Sequence, residues 1–181
     1  AFQSDMDPRY ADEVALSFGD TRNHIDALAI GPYFGTDLSA DAAGAARVRK
    51  MTLDELLREL ESSALPKAKA QMLAHAAVAR KYGLPLLAYE GGQHLWNMSG
   101  QEAPEVDALF HAANRDPRMW TLYSRYLQDW AEMGGGLFMH LLDCGLFKND
   151  GNWGALEFLA QPRAEAPKYD ALRRYMEGRK A

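Results

Sequence analysis

The sequence predicts an α/β fold with parallel strands. Two observations carry this. Strand-like apolar runs at 25–35, 84–90 and 136–143 alternate with segments of helical periodicity. Each pair of runs is separated by enough helix for a right-handed crossover, the connection that parallel strands require.

The elements follow in order. "PRYADEVALSF", residues 8–18, reads as a helix with Pro8 in its first turn, and "GDTRNH" breaks it. "IDALAIGPYFG", 25–35, reads as a strand with a sharp end. Residues 36–50, rich in Ala, Gly and Asp, read as a loop or weak helix. In "TLDELLRELESSA", 52–64, leucines 53, 56, 57 and 60 lie on one helical face, and Thr52 with Glu55 forms a capping-box pattern. A second helix, 66–83, starts at Pro66 and stops at Gly83, and the strand 84–90 follows. Two helices, 103–116 and 117–136, divide at Asp116-Pro117. The third strand is 136–143, then come a loop and an irregular stretch, and a helix opening at Pro167 closes the chain.

The strands can be read by face. One face of the first holds Ala27, Ala29, Gly31 and Tyr33; one face of the second holds Leu86, Ala88 and Glu90. Small residues leading to a polar group suit the crowded interior of a barrel, and bulky aliphatics on the other face suit helix packing. In the third strand Leu137, Met139 and Leu141 form the aliphatic face, leaving Phe138 and His140 inward. Three strands do not close a barrel, which needs eight and about 250 residues. The segment is an open sheet or the C-terminal part of a split or truncated barrel.

The 181 residues, 48% of them hydrophobic, suffice for one core of ordinary size. A net charge of -5 gives no electrostatic grip on nucleic acid or anionic membranes. The single Cys144 cannot form an internal disulfide. No apolar run reaches the length of a membrane span. The N-terminus has neither the basic start nor the apolar centre of a signal peptide, and no initiator methionine, so the chain reads as processed or as a piece of something longer.

The chemistry concentrates in "LPLLAYEGGQHLWN", 84–97. Glu90 ends an apolar strand. Gly91 and Gly92 follow, with room for a ligand to approach the backbone. Gln93, His94, Trp96 and Asn97 add hydrogen-bonding groups and an aromatic plate within one loop, a combination suited to sugar binding. The alternative is an acid paired with an arginine or capping the next element. Tyr33 can donate to a carboxylate and hold it ionised and oriented, or serve as a rim aromatic. Trp153 can stack on a sugar ring or cover the core. Glu157 offers a second carboxylate, or a structural ion pair. His140 reads as an interior histidine, His24 and His75 as surface or cap residues, and Trp120, Tyr123, Tyr126, Leu127 and Trp130 as core. CxxC, HxH and HExxH motifs, a Gly-x-Ser-x-Gly elbow and a phosphate-cradling loop are missing. The expectation is therefore no metal and no cofactor. A metal-assisted hydrolase would have to use Glu90, His94, His140 and Asp143.

The run into "YEGG" resembles the nucleophile strand of clan A glycoside hydrolases, retaining enzymes on (β/α)8 TIM barrels. The set "DALAIGPYFG … YEGGQHL … GNWGALE … PKYDAL" is similar to bacterial proteins described as cellulose-binding or glycosidase-like. The resemblance covers about residues 20–177. It implies an α/β fold corresponding to about strands 6–8 of a TIM barrel and their helices. Residues 1–181 would form one partial barrel domain, truncated on the N-terminal side. It implies Glu90 as nucleophile and Tyr33 as the residue touching it. Trp153 matches the family's aromatic under the sugar, and Gln93, His94, Trp96 and Asn97, read from the loop itself, are the further expected substrate contacts. The family's acid/base is a Glu after an Asn, and no Asn-Glu pair occurs here, so that residue is expected upstream and this chain alone is expected to be inactive. The expected partner is a carbohydrate, without nucleic acid or membrane, together with the missing barrel half or self-association through exposed sheet edges. A polysaccharide substrate would favour a secreted or periplasmic location. A non-catalytic carbohydrate-binding protein on a degenerate barrel is the alternative.

Overall fold

The computed structural model describes residues 2–3, 7–149 and 151–178. The fold is helix-rich, with 53% of residues helical. The short strands β1 (Phe2–Gln3), β2 (Leu28–Gly31) and β3 (Leu86–Ala88) are parallel, in the order β1-β2-β3. The helices are α1 (Ala42–Val48), α2 (Leu53–Glu59), α3 (Leu65–Lys81), α4 (Pro104–Arg115), α5 (Arg118–Glu132) and α6 (Pro167–Gly178).

This corrects the expected fold. The structure is not strands 6–8 of a TIM barrel with their helices. β2 and β3 have only four and three residues. Pro32 follows β2 at once, and β3 is confined between Pro85 and the Gly91-Gly92 pair. Proline cannot donate to a ladder, and glycine weakens one. The third expected strand, 136–143, forms no ladder with β3: it makes the single isolated bridge Ala88–Phe138 and one further bond, Gly136 N to Leu86 O at 2.9 Å. Its Phe138 side does turn inward, against Trp130 and Tyr126 at ring separations of 5.6 Å. Leu137 and Met139, expected beneath helices, are 63% and 53% exposed.

The helices account for most of the packing. In α5, Met119, Leu122, Tyr123, Tyr126, Leu127 and Trp130 are buried, the spacing of one broad helical face. α6 packs chiefly on α5. One apolar core runs from Ala11 to Ala171.

The two helices expected at 52–64 and 66–83 are one continuous helical run. Leu60–Ala64 is π-helical, and the Leu65 N–H bonds to Leu60 O, five residues back. The wider turn admits Pro66, which has no N–H to give, without ending the helix. His75, expected at the surface, is fully buried on α3, and its Nδ1 lies 3.0 Å from Gln71 O. α1 settles the ambiguity of 36–50; Asp41 caps it by accepting from Gly44 N at 2.7 Å.

The capping box at α2 forms as its pattern predicts. Thr52 Oγ1 accepts from Glu55 N at 3.2 Å, and Glu55 Oε2 accepts from Thr52 N at 2.7 Å. Thr52→Ala should lower unfolding stability by about 1 kcal/mol, read as a smaller urea midpoint at unchanged slope. An unchanged midpoint would show that the helical run from Leu53 is anchored elsewhere.

Candidate functional site

The parallel register places Ile30 opposite Ala88. Residues just beyond both strands therefore leave the sheet at the same end, and these include Tyr33 and Glu90. The two loops stay in step: Phe34 N donates to Gly92 O at 3.1 Å, and His94 N donates to Phe34 O at 2.8 Å. The Tyr33 phenol is close enough to the Glu90 carboxylate to feel it electrostatically. Burial first, then the neighbouring Glu90, raise the phenol far above its ordinary pKa. Tyr33 thus keeps its proton and can offer it to the carboxylate.

Three further aromatic rings cluster with Tyr33. His94 lies 5.1 Å from Tyr33, 6.0 Å from Trp96 and 5.6 Å from Trp153. The two indoles meet edge to face at 5.7 Å and 71°. All five residues are partly exposed, so they present one mixed surface of aromatic faces and a carboxylate. Five of the seven sites expected from the sequence therefore converge: Tyr33, Glu90, His94, Trp96 and Trp153.

Gln93 and Asn97 have other tasks. Gln93 is fully buried. Its Oε1 accepts from Leu95 N, and its Nε2 donates to Asn152 O, each at 2.7 Å. Asn97 organises its own loop, accepting from Ser99 Oγ at 2.6 Å and donating to Gln101 O at 2.9 Å.

The glycines after Glu90 serve packing. A Cβ on Gly91 would stand 2.9 Å from Phe138 and 3.0 Å from the Tyr126 hydroxyl. Gly92 has φ +138°, and a Cβ there would meet the Tyr123 hydroxyl at 2.9 Å. The closeness is to packed aromatic side chains, where the sequence alone suggests room for a ligand. Gly151 plays the same part under Trp153, whose ring would lie 1.8 Å from a Cβ.

A polar network beneath the surface was not legible in the sequence. Asn152 O accepts from both Gln93 Nε2 and Lys168 Nζ at 2.7 Å, and Asn152 Nδ2 donates to Leu95 O at 2.8 Å. Lys168 is buried and also donates to Asn114 Oδ1 at 2.7 Å, with its Nζ 4.6 Å from the Phe147 ring centre. Burial pushes the Lys168 pKa well below its usual value, against an opposing pull from Glu157. The Tyr123 hydroxyl accepts from Gln93 N at 3.0 Å and lies 3.1 Å from His140 Nε2. Burial, helped by the Lys168 charge, lowers the His140 pKa to about 3. This neutral imidazole can accept the Tyr123 proton.

Glu157 is gripped by Arg115: Nε lies 2.9 Å from Oε2, and Nη2 bonds to Oε1. Among the described residues, no group of three or more His, Cys, Asp or Glu is placed to hold a metal. No described helix is long and apolar enough to cross a membrane. Trp153 Nε1, shut from solvent, has no hydrogen-bond partner among the described residues, a costly state for a donor unless an acceptor is supplied.

The depressed His140 pKa has a sign. An unfolded-chain histidine takes up a proton near pH 6.5, whereas folded His140 stays neutral to about 3. Stability is full above pH 6.5 and falls below it, at up to about 1.4 kcal/mol per pH unit. His75, also lowered by burial, adds in the same direction. Urea unfolding between pH 7 and 5 should show this slope, and His140→Gln should flatten it. An equal slope in the variant would remove His140 as its source.

Comparison of the chain with protein-family models, with curated proteins and with solved structures finds no match.

Proposed function

We propose that this protein binds a carbohydrate on the surface formed by Tyr33, Glu90, His94, Trp96 and Trp153. The observation that carries the reading is the clustering of the Tyr33, His94, Trp96 and Trp153 rings, with the Glu90 carboxylate beside Tyr33. Sugars have apolar ring faces and hydroxyl edges. Aromatic planes cover the first, and a carboxylate accepts from the second.

A second reading, a retaining glycoside hydrolase, has its own support in the pairing of Glu90 with Tyr33. A carboxylate beside a phenol that can donate to it is suited to attack on an anomeric carbon. In that mechanism Glu90 forms the glycosyl bond. A second carboxyl group, roughly 5–5.5 Å away, protonates the departing oxygen and then activates water. Glu157, the acid that the sequence offers, is occupied by Arg115. The acid/base group would come from outside the residues placed here around Glu90, so binding leads and hydrolysis follows.

An oligosaccharide array probed with the intact chain should show binding. Trp153→Ala and Trp96→Ala should each weaken it by about 1 kcal/mol, roughly fivefold. Glu90→Gln should keep most of the affinity, and this chain alone should not cleave unactivated oligosaccharides. Binding that ignores both tryptophan substitutions would remove the surface as the site. A clear cleavage rate that vanishes in Glu90→Gln would promote the hydrolase reading over simple binding.

A further inference from the structure

Beside Tyr33 lies a second cleft of about 320 Å³, between the 33–40 loop and α3. This is near the lower end of the ~300–1,000 Å³ typical of small-molecule sites. Its apolar wall includes Phe34 and Met98, and its polar groups are Thr36, Asp37, Lys67 and Gln71. Among the described residues, neither the Thr36 hydroxyl nor the Gln71 side-chain amide is hydrogen-bonded within the protein, so both remain available to a ligand. Asp37 and Lys67 pair at 2.6 Å, with side chains 57% and 62% exposed. So exposed a pair contributes little to stability, about 0–1 kcal/mol, and both ends can turn to hydroxyl groups at small cost. The pair also cancels its own charge, so the cleft favours a neutral ligand.

The cleft and the aromatic surface are mechanically joined. Tyr33 belongs to both. Ser39 ties their loops together twice: its hydroxyl donates to Trp96 O at 2.7 Å, and its carbonyl accepts from Met98 N at 3.1 Å.

We infer that the cleft lined by Thr36, Asp37, Lys67 and Gln71 is a second sugar subsite, so that the ligand is an uncharged oligosaccharide spanning both sides of Tyr33. This rests on the carbohydrate reading and names its substrate class. One unit lies on the aromatic surface, and the chain continues past the Tyr33 ring into the cleft.

The test is calorimetric titration with β-1,4-linked di- and hexasaccharides of glucose, mannose and xylose. At least one hexasaccharide should bind the intact protein about tenfold or more tighter than its disaccharide, a difference well outside measurement scatter. Ala40 is exposed and lines the cleft. Ala40→Trp should fill the cleft and erase the gain from length, while disaccharide affinity stays within about twofold. Gln71→Leu should erase part of the gain, and unchanged unfolding midpoints would show both variants folded. Disaccharide binding without a gain from length, or a gain that survives Ala40→Trp, overturns the subsite and leaves the aromatic surface standing. Silence from every sugar overturns both.

Discussion

The carbonyl oxygen of Asn152 is the point on which the site depends. It accepts from Gln93 and from Lys168 at the same distance, 2.7 Å. Those two donors belong to the loop after β3 and to α6. One buried acceptor therefore joins the Glu90 loop, the loop carrying Trp153 and the closing helix. Hydrogen bonds away from water are electrostatically strong, and losing one partner leaves the others buried and unpaired. Lys168 takes this further. A buried lysine is costly when charged, and here two oxygens and the Phe147 face surround its nitrogen.

Packing and recognition are divided by depth. Tyr123 and Tyr126 lie buried, pressed against Gly91 and Gly92. Tyr126 donates its proton to Pro32 O, just beyond β2. The Glu90 segment is thereby fixed from below by side chains that never reach solvent. Above it, Tyr33, His94, Trp96 and Trp153 keep part of their surface exposed because their loops are held by other atoms. Rings so supported need little reorganisation to receive a flat ligand, and preorganisation of this kind lowers the entropic cost of binding.

The helices were largely legible because their signals are local. Thr52 with Glu55, the α5 stripe, and the proline at 167 each act within a few residues. The strands were not, because strand length depends on partners. The alternation at 136–143 turned Phe138 inward as read, yet the ladder closed at one bridge only. Pro66 misled for a different reason: a π-turn upstream absorbed its missing N–H. In the site, Tyr33, Glu90 and the aromatic residues were visible as unusual types at the ends of apolar runs. The roles of Gln93 and Asn152 were hidden, since polar residues in loops look alike until their partners, 59 positions apart, are brought together. Gly91 and Gly92 stand out in the sequence, but only the rings packed against them, Phe138, Tyr126, Tyr123 and His140, explain why no side chain fits.

The distances along the chain between the site's parts also govern when it forms. Tyr33, His94 and Trp153 come from three separate stretches, joined through a buried network that reaches residue 168. The helical run from Leu53 to Lys81 can form from contacts within itself, on the microsecond scale of isolated helices. The aromatic surface can form only after several long loops have closed, and such closures slow folding. Ring contacts at the site therefore require closures of long sequence separation, which the helical run does not. The Trp96–Trp153 contact reports that long-range assembly, which helix content alone does not.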